Sequence, residues 1–128
     1  MNKLIIDAAN EKIFLMIITN ASIYNITHEN TKINYEKLTI IINDFLLSKN
    51  FKIADIGVIY INIGLGSFAG IRNSMSVVKA FNVAKNIDYY CYNLHDFKDE
   101  KDLSYESIPN LCKKYKIKKN LINPIYIS

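Results

Sequence analysis

A run of glycines and small residues, Gly64-Leu65-Gly66-Ser67-Phe68-Ala69-Gly70-Ile71-Arg72, is the one segment dense enough to carry chemistry. Glycine reaches backbone conformations closed to other residues, and a helix that begins in such a run offers free N–H groups to an anion. Three kinds of site can be tested on spacing. A phosphate-binding P-loop needs Gly-x4-Gly-Lys-Ser/Thr, but Gly64 to Gly70 is one step too long and Ile71 stands where lysine belongs. A serine nucleophile elbow needs glycine two places before and after the serine, whereas Ser67 has Leu65 and Ala69. The dinucleotide fingerprint fits Gly64, Gly66 and Ala69, yet the strand after the helix ends in Asn93 rather than an acid. Two readings remain: an anion or nucleotide contact by Asp7, Gly64, Gly66 and Ser67, or small residues that serve only tight turning and close packing.

Other reactive residues are sparse. Cys91 and Cys112 form no C-x-x-C pair and read as buried or inert thiols, while His28 and His95 fall in polar segments that read as loops. No metal site, catalytic residue or cofactor is expected. Five lysines, Lys113, Lys114, Lys116, Lys118 and Lys119, lie within residues 107–128, which hold no acid; since the whole chain is +4, residues 1–106 carry −1. Such a cluster suits either a solvated face or weak contact with RNA phosphates, and binding of the second kind should fall steeply with salt.

The elements that must position these residues follow from periodicity. Runs over Lys3–Ala8, Lys12–Thr19 and Ser22–Ile26 predict an antiparallel three-strand opening. Leu38, Ile41, Ile42, Phe45 and Leu46 predict a helix over 34–49, N-capped by Asn34. Ile33, Ile40 and Leu47 repeat every seventh residue on its other side, either as an apolar stripe for another protein or as isoleucine drift in a chain where Ile, Asn and Lys make 54 of 128 residues. A buried strand over Gly57–Ile63, a helix over Ser67–Asn86 and a strand over Asp88–Asn93 make a right-handed crossover. Residues 94–106 read as an exposed charged connection, followed by a short helix over Ser107–Tyr115 and a strand over Pro124–Ile127. The class is α/β with a mixed sheet, and 128 residues with 50% hydrophobic side chains suffice for one domain but not for two well-cored ones. No membrane span or signal peptide is read, so a cytoplasmic location is expected.

The segment Ile63–Arg72, with Val77-Val78-Lys79-Ala80 after it, resembles the Gly-Pro-Gly-Ser-Phe-Thr-Gly-x-Arg motif and following Ala-Lys-Gly of the TsaB (YeaZ) family. Leu4-Ile5-Ile6-Asp7-Ala8 resembles that family's opening Leu-x-Ile-Asp-Thr strand, and the likeness extends over residues 1–95. Leu65 replaces proline, Ala8 and Ala69 replace threonines, Ser74 replaces a second glycine, and Asn34 falls near a usual histidine. The lost hydroxyls weaken a nucleotide contact more than a packing role.

The resemblance implies an actin/Hsp70-like lobe with most of the second lobe missing, residues 96–128 being its remnant. It also implies a non-catalytic scaffold that stabilises TsaD, with TsaE as a further partner, in making the threonylcarbamoyladenosine base of tRNA. ATP would enter only through the partner, and tRNA contact would be indirect. The expected partner surface is Tyr35, Ile40, Leu47, Gly70, Arg72, Ser74, Met75, Val78 and Lys79 on the two long helices, and the same surface is expected to serve a homodimer when the partner is absent. The rival expectation is an independent nucleotide-binding or ATP-hydrolysing enzyme of the actin-like class.

Overall fold

A computed structural model describes residues 1–121; the expected strand over Pro124–Ile127 lies outside the described residues. Strands β1 (Asn2–Asp7), β2 (Lys12–Ile18) and β3 (Ile23–Glu29) form the antiparallel opening, and β4 (Ile56–Asn62) and β5 (Asp88–Tyr92) extend it parallel to β1. The spatial order is β3-β2-β1-β4-β5. β3 runs past its expected end at Ile26 to Glu29, which places His28 in a strand rather than a loop.

Alternation along the strands decides the layers. Leu4, Ile6, Ile13, Leu15, Ile17, Ile59 and Ile61 face one core; Ile5, Met16, Val58, Tyr60 and Tyr92 face a second. All are buried, which is why β1 and β4 read as unbroken apolar runs rather than as alternating ones.

The first core is closed by helices α1 (Lys32–Glu36), α2 (Leu38–Ser48) and α3 (Phe68–Lys85). The single helix expected over 34–49 is thus two, broken at Lys37, whose ψ of 16° departs from helical geometry. Its N-cap is Thr31, not Asn34: the Thr31 hydroxyl accepts from the Asn34 N–H at 3.1 Å, while the Asn34 side chain donates to the Glu29 carbonyl at 2.7 Å. Leu38, Ile42, Phe45 and Leu46 are buried as their spacing requires, whereas Ile33, Ile40 and Leu47 are 62%, 57% and 58% exposed. α3 begins on Ser67 as expected and stops at Asn86 in the left-handed conformation, φ 56°.

The second core is closed by the C-terminal segment. Short 3-10 turns at Leu94–Phe97 and Tyr105–Ser107 lead into α4 (Ile108–Lys114). Phe97 is fully buried against Tyr92, and the Tyr105 ring stacks on Phe14 with centroids 3.9 Å apart. Most of residues 94–106 are exposed, as their charge suggested, but Phe97 is buried and Tyr105 partly so. These two aromatic anchors carry the backbone across the sheet, while Lys98, Asp99, Lys101 and Asp102 between them face water and the half-buried Glu100 accepts from Lys114 and Tyr115.

The glycine run joins the layers by contact rather than by backbone freedom. No glycine has a positive φ. A Cβ on Gly66 would overlap the Ala9 carbonyl, and one on Gly70 the Ala8 carbonyl. The Ser67 N–H also donates to the Ala9 carbonyl at 2.8 Å, so the start of α3 sits directly on the β1–β2 turn. Alanine would favour the helix at Gly70 by about 1 kcal/mol, but backbone atoms in the way cannot swing aside, and overpacking costs typically 1–3 kcal/mol. Gly70→Ala should thus lower stability by up to about 2 kcal/mol in urea denaturation, the upper overpacking cost less the helix gain. Gly57→Ala, whose Cβ meets only the flexible Met1 side chain, should change it by less than about 1 kcal/mol.

Candidate functional site

In open α/β sheets, ligands are held beyond the carboxyl ends of the parallel strands. Here that end carries Asp7 on β1, Asn62 on β4 and Asn93 just past β5, all almost fully buried. The Asp7 carboxylate accepts from the Ala9 N–H at 3.0 Å through Oδ1. Through Oδ2 it accepts from Asn10 Nδ2 at 2.9 Å, Asn62 Nδ2 at 3.1 Å and Tyr105 Oη at 2.8 Å. A buried carboxylate is tolerated when such donors replace its water. Four donors of the chain itself thus compensate its burial. The same contacts act on Tyr105: burial first, then the charge of Asp7, push its phenol far above the ordinary tyrosine value, so it remains a donor.

The glycine turn is equally engaged. The Gly64 N–H donates to Asn62 Oδ1 at 2.9 Å, and the Gly70 N–H to Ser67 Oγ at 3.1 Å. Ser67 Oγ also accepts from Tyr35 Oη at 3.0 Å, and the Ser67 N–H is held by Ala9. Asp7, Gly64, Gly66 and Ser67 are thus brought together as the sequence suggested. Of the N–H groups along this turn, those of Gly64, Ser67 and Gly70 bond within the chain. A cavity of about 170 Å³ beside them is lined by Asn10, Asn62, Gly64, Leu65, Asn93 and His95.

The residues expected to face a partner separate into two sets. Tyr35, Gly70, Ser74 and Val78 are buried in the chain's own core, Ser74 completely, so they are not presented to another protein. Ile40, Leu47, Arg72 and Lys79 are exposed, and Met75 is half-buried against the core. Small residues mark close helix approach without saying to what; here the neighbour is the β1–β2 turn. Between α1 and α3 an open groove of about 440 Å³ is lined by Lys32, Tyr35, Glu36, Ala69, Arg72 and Asn73, and the Arg72 guanidinium lies 5.3 Å from the Phe68 ring centre.

The five lysines do not form one uniform face. Lys114 pairs with Glu100 at 2.8 Å and Lys119 with Asp88 at 3.6 Å, and the bond from Lys114 holds the Glu100 carboxyl below its ordinary value. Lys113 and Lys116, with Lys3, flank a cavity of about 540 Å³ backed by the stacked rings of Tyr60 and Tyr90, and Lys118 lies beside a smaller one next to Lys116. Cys91 and Cys112 are free and buried, and burial pushes both thiols up to about 12. Among the described residues no three His, Cys, Asp or Glu side chains stand together as a metal site. No described helix is long and apolar enough to cross a membrane.

Asn10, Asn62, Tyr92 and Tyr105 complete this end of the sheet, and none was singled out from sequence. Asn62 had a signal, a polar residue closing a buried apolar strand. Tyr105, 98 positions from the carboxylate that it binds, had none.

No protein-family model matches the sequence, and no curated protein matches it. Solved structures do match. YeaZ from Pseudomonas aeruginosa superposes with a TM-score of 0.66 at 16% identity, over 72% of this chain and 43% of that one. A second structure, described as an uncharacterized protein with similarity to peptidase YeaZ from the same organism, gives the same values. RuvC from Thermus thermophilus gives a TM-score of 0.54 at 8% identity over 90% of this chain and 80% of that one; the form in complex with a Holliday junction substrate gives 0.54 at 9%. The chain therefore shares the YeaZ fold, as the sequence resemblance implied, and spans less than half the length of that protein.

The Asp7 arrangement has a measurable consequence. Asp7→Ala strands four donors, two of them in buried bonds and two in part-buried ones, at a cost of about 1–3 kcal/mol for each that stays unpaired. The variant should lose at least about 3 kcal/mol in urea denaturation, and a loss below about 1 kcal/mol would show that the carboxylate does not organise this end of the sheet.

Proposed function

We propose that this chain is a shortened TsaB-like scaffold that binds and stabilises a TsaD-type partner in synthesis of the threonylcarbamoyladenosine base of tRNA. The observation that carries the reading is the stripe of Ile33, Ile40 and Leu47, each more than half exposed although the opposite side of α1–α2 is packed into the core. Burying a large aliphatic side chain is worth about 1.5–3 kcal/mol, so three in line are a substantial unspent contribution to association. The groove lined by Lys32, Glu36, Arg72 and Asn73 supplies polar groups next to α1. The sequence resemblance and the shared fold agree with this role. TsaE and ATP belong to the partner's side of the complex, and in the partner's absence the same stripe serves a homodimer.

Co-purification of the full chain with its cognate TsaD is the direct test. Ile40→Glu combined with Leu47→Glu should lower the affinity at least tenfold, about 1.4 kcal/mol, while leaving the melting temperature within about 4 °C. Val78→Asp, being buried, should instead unfold the chain. Absence of a complex at micromolar concentration would overturn the proposal.

The alternative, an independent nucleotide-binding enzyme of the actin-like class, must build its site from Asp7 and Gly64–Ser67. The Asp7 carboxylate, the Gly64 and Ser67 N–H groups and Ser67 Oγ bond within the chain. Titration calorimetry of the isolated chain with ATP and ADP should therefore show no binding tighter than about 1 mM; a micromolar Kd would revive the enzyme reading.

A further inference from the structure

On the sheet face that α4 covers lies a cavity of about 540 Å³ with a basic lining. Lys3 comes from β1, Lys113 from the end of α4 and Lys116 from the turn after it, and none of the described residues around the cavity is acidic. Among the described residues these three lysines form no ion pair, whereas Lys114 and Lys119 are held by Glu100 and Asp88. The structure thereby sorts a cluster that the sequence left uniform, and it adds Lys3 from the opposite end of the chain.

Lys116 stands in a backbone conformation that favours glycine. Its φ is 56°, in the left-handed region. The Lys116 N–H donates to the Lys113 carbonyl at 3.2 Å and the Ile117 N–H to the Cys112 carbonyl at 2.9 Å, which closes the end of α4. The turn brings Lys116 back to the cavity that Lys113 lines.

The other walls narrow the choice of ligand. The stacked rings of Tyr60 and Tyr90 stand at the back, centroids 5.3 Å apart, with Tyr60 buried and Tyr90 partly exposed. Asn110 adds an exposed amide, Pro109 and Ile117 add apolar contact, and the Cys112 thiol is buried. Lys116 and Ile117 also line a second cavity of about 280 Å³ that continues to Lys118; its one acid, Asp96, accepts from the Asn93 N–H at 3.1 Å. A membrane surface cannot enter a concave site, and an acidic peptide gains little from an aromatic wall. A nucleotide chain uses both features, with phosphates on lysines and bases on rings.

We propose that this groove binds single-stranded nucleic acid, one nucleotide seated in the larger cavity with its base against Tyr90 and its flanking phosphates on Lys3, Lys113 and Lys116. Such contacts read no sequence. A duplex keeps its bases stacked inside and cannot seat one here, and a free nucleotide spans only part of the row of lysines. The site lies on the opposite face from the α1–α2 stripe, so it is read on the chain alone and stands or falls apart from the TsaD reading.

The probe is a fluorescein-labelled twelve-nucleotide oligouridine, followed by anisotropy with the full chain. It should bind with a Kd below about 100 μM at low salt, at least fivefold more tightly than a duplex of equal length. Lys3→Gln, Lys113→Gln and Lys116→Gln together should weaken binding at least tenfold and flatten the slope of log K against log salt by about 2, from about 0.7 for each phosphate contact. Lys114→Gln with Lys119→Gln should change affinity less than threefold. Lys116→Gly separates folding from binding: it should be at least as stable as the parent and bind at least threefold more weakly. Tyr90→Leu should cost at least fivefold with the salt slope unchanged. The proposal is overturned if oligouridine does not bind, if the duplex binds as well, or if the two sets of lysine variants weaken binding equally, the mark of diffuse attraction to a basic tail. It is equally overturned if Lys116→Gly or Tyr90→Leu keeps the parent affinity, or if polyglutamate or ATP at about 1 mM displaces the oligonucleotide at constant ionic strength.

Discussion

The buried carboxylate of Asp7 is the constraint around which the rest of the chain is arranged. An ionised carboxylate taken from water loses several kcal/mol unless donors replace its hydration. Here the donors come from four places: the backbone of the β1–β2 turn at Ala9, the side chain of Asn10, the end of β4 at Asn62 and the C-terminal segment at Tyr105. Each can reach only if its own element is in register. Asn62 must also turn its Oδ1 to the Gly64 N–H, which starts the glycine turn, and the turn then places Ser67 on Ala9. One charge thereby links the meander, the crossover and the segment that closes the second face.

The two faces of the sheet are closed by different means. α1–α3 cover the first with a broad aliphatic core, whereas the second is covered by one short helix and irregular chain anchored by aromatic rings: Phe14 with Tyr105, Tyr92 with Phe97, and Phe97 with Tyr115. Aromatic rings bury much area from few residues. This allows a highly charged stretch to serve as a layer, and it also leaves space beneath that layer where a long helix would have filled it.

Most strands and helices were legible because their apolar residues keep strict periods. The unbroken run Val58–Ile61 correctly signalled burial on both faces, and the heptad of Ile33, Ile40 and Leu47 marked a side of the helix that the structure leaves in water. What failed was of another kind. The break at Lys37 and the cap at Thr31 depend on single backbone angles that leave no pattern. Phe97 and Tyr105 were hidden because two anchors among nine charged and polar residues carry no period. Asn62 and Asn93 looked like one more asparagine each in a chain that has 16.

The misplacement of Gly70, Ser74 and Val78 bears on how the chain can meet a partner. A stripe of small residues reports that something approaches the helix closely, and two candidates compete for it: a partner helix or the chain's own turn. The carbonyls of Ala8 and Ala9 occupy the space beside Gly70 and Gly66, and Ser74 is wholly buried, so the turn has won. Close helix-to-helix approach along that side of α3 is therefore closed to any other protein. A partner must meet large aliphatic side chains on α1–α2 and charged ones such as Arg72 and Lys79 on α3. An interface of that composition gains its energy from side-chain burial rather than backbone proximity. It would tolerate changes among the small residues only so far as the Asp7 end of the sheet tolerates them.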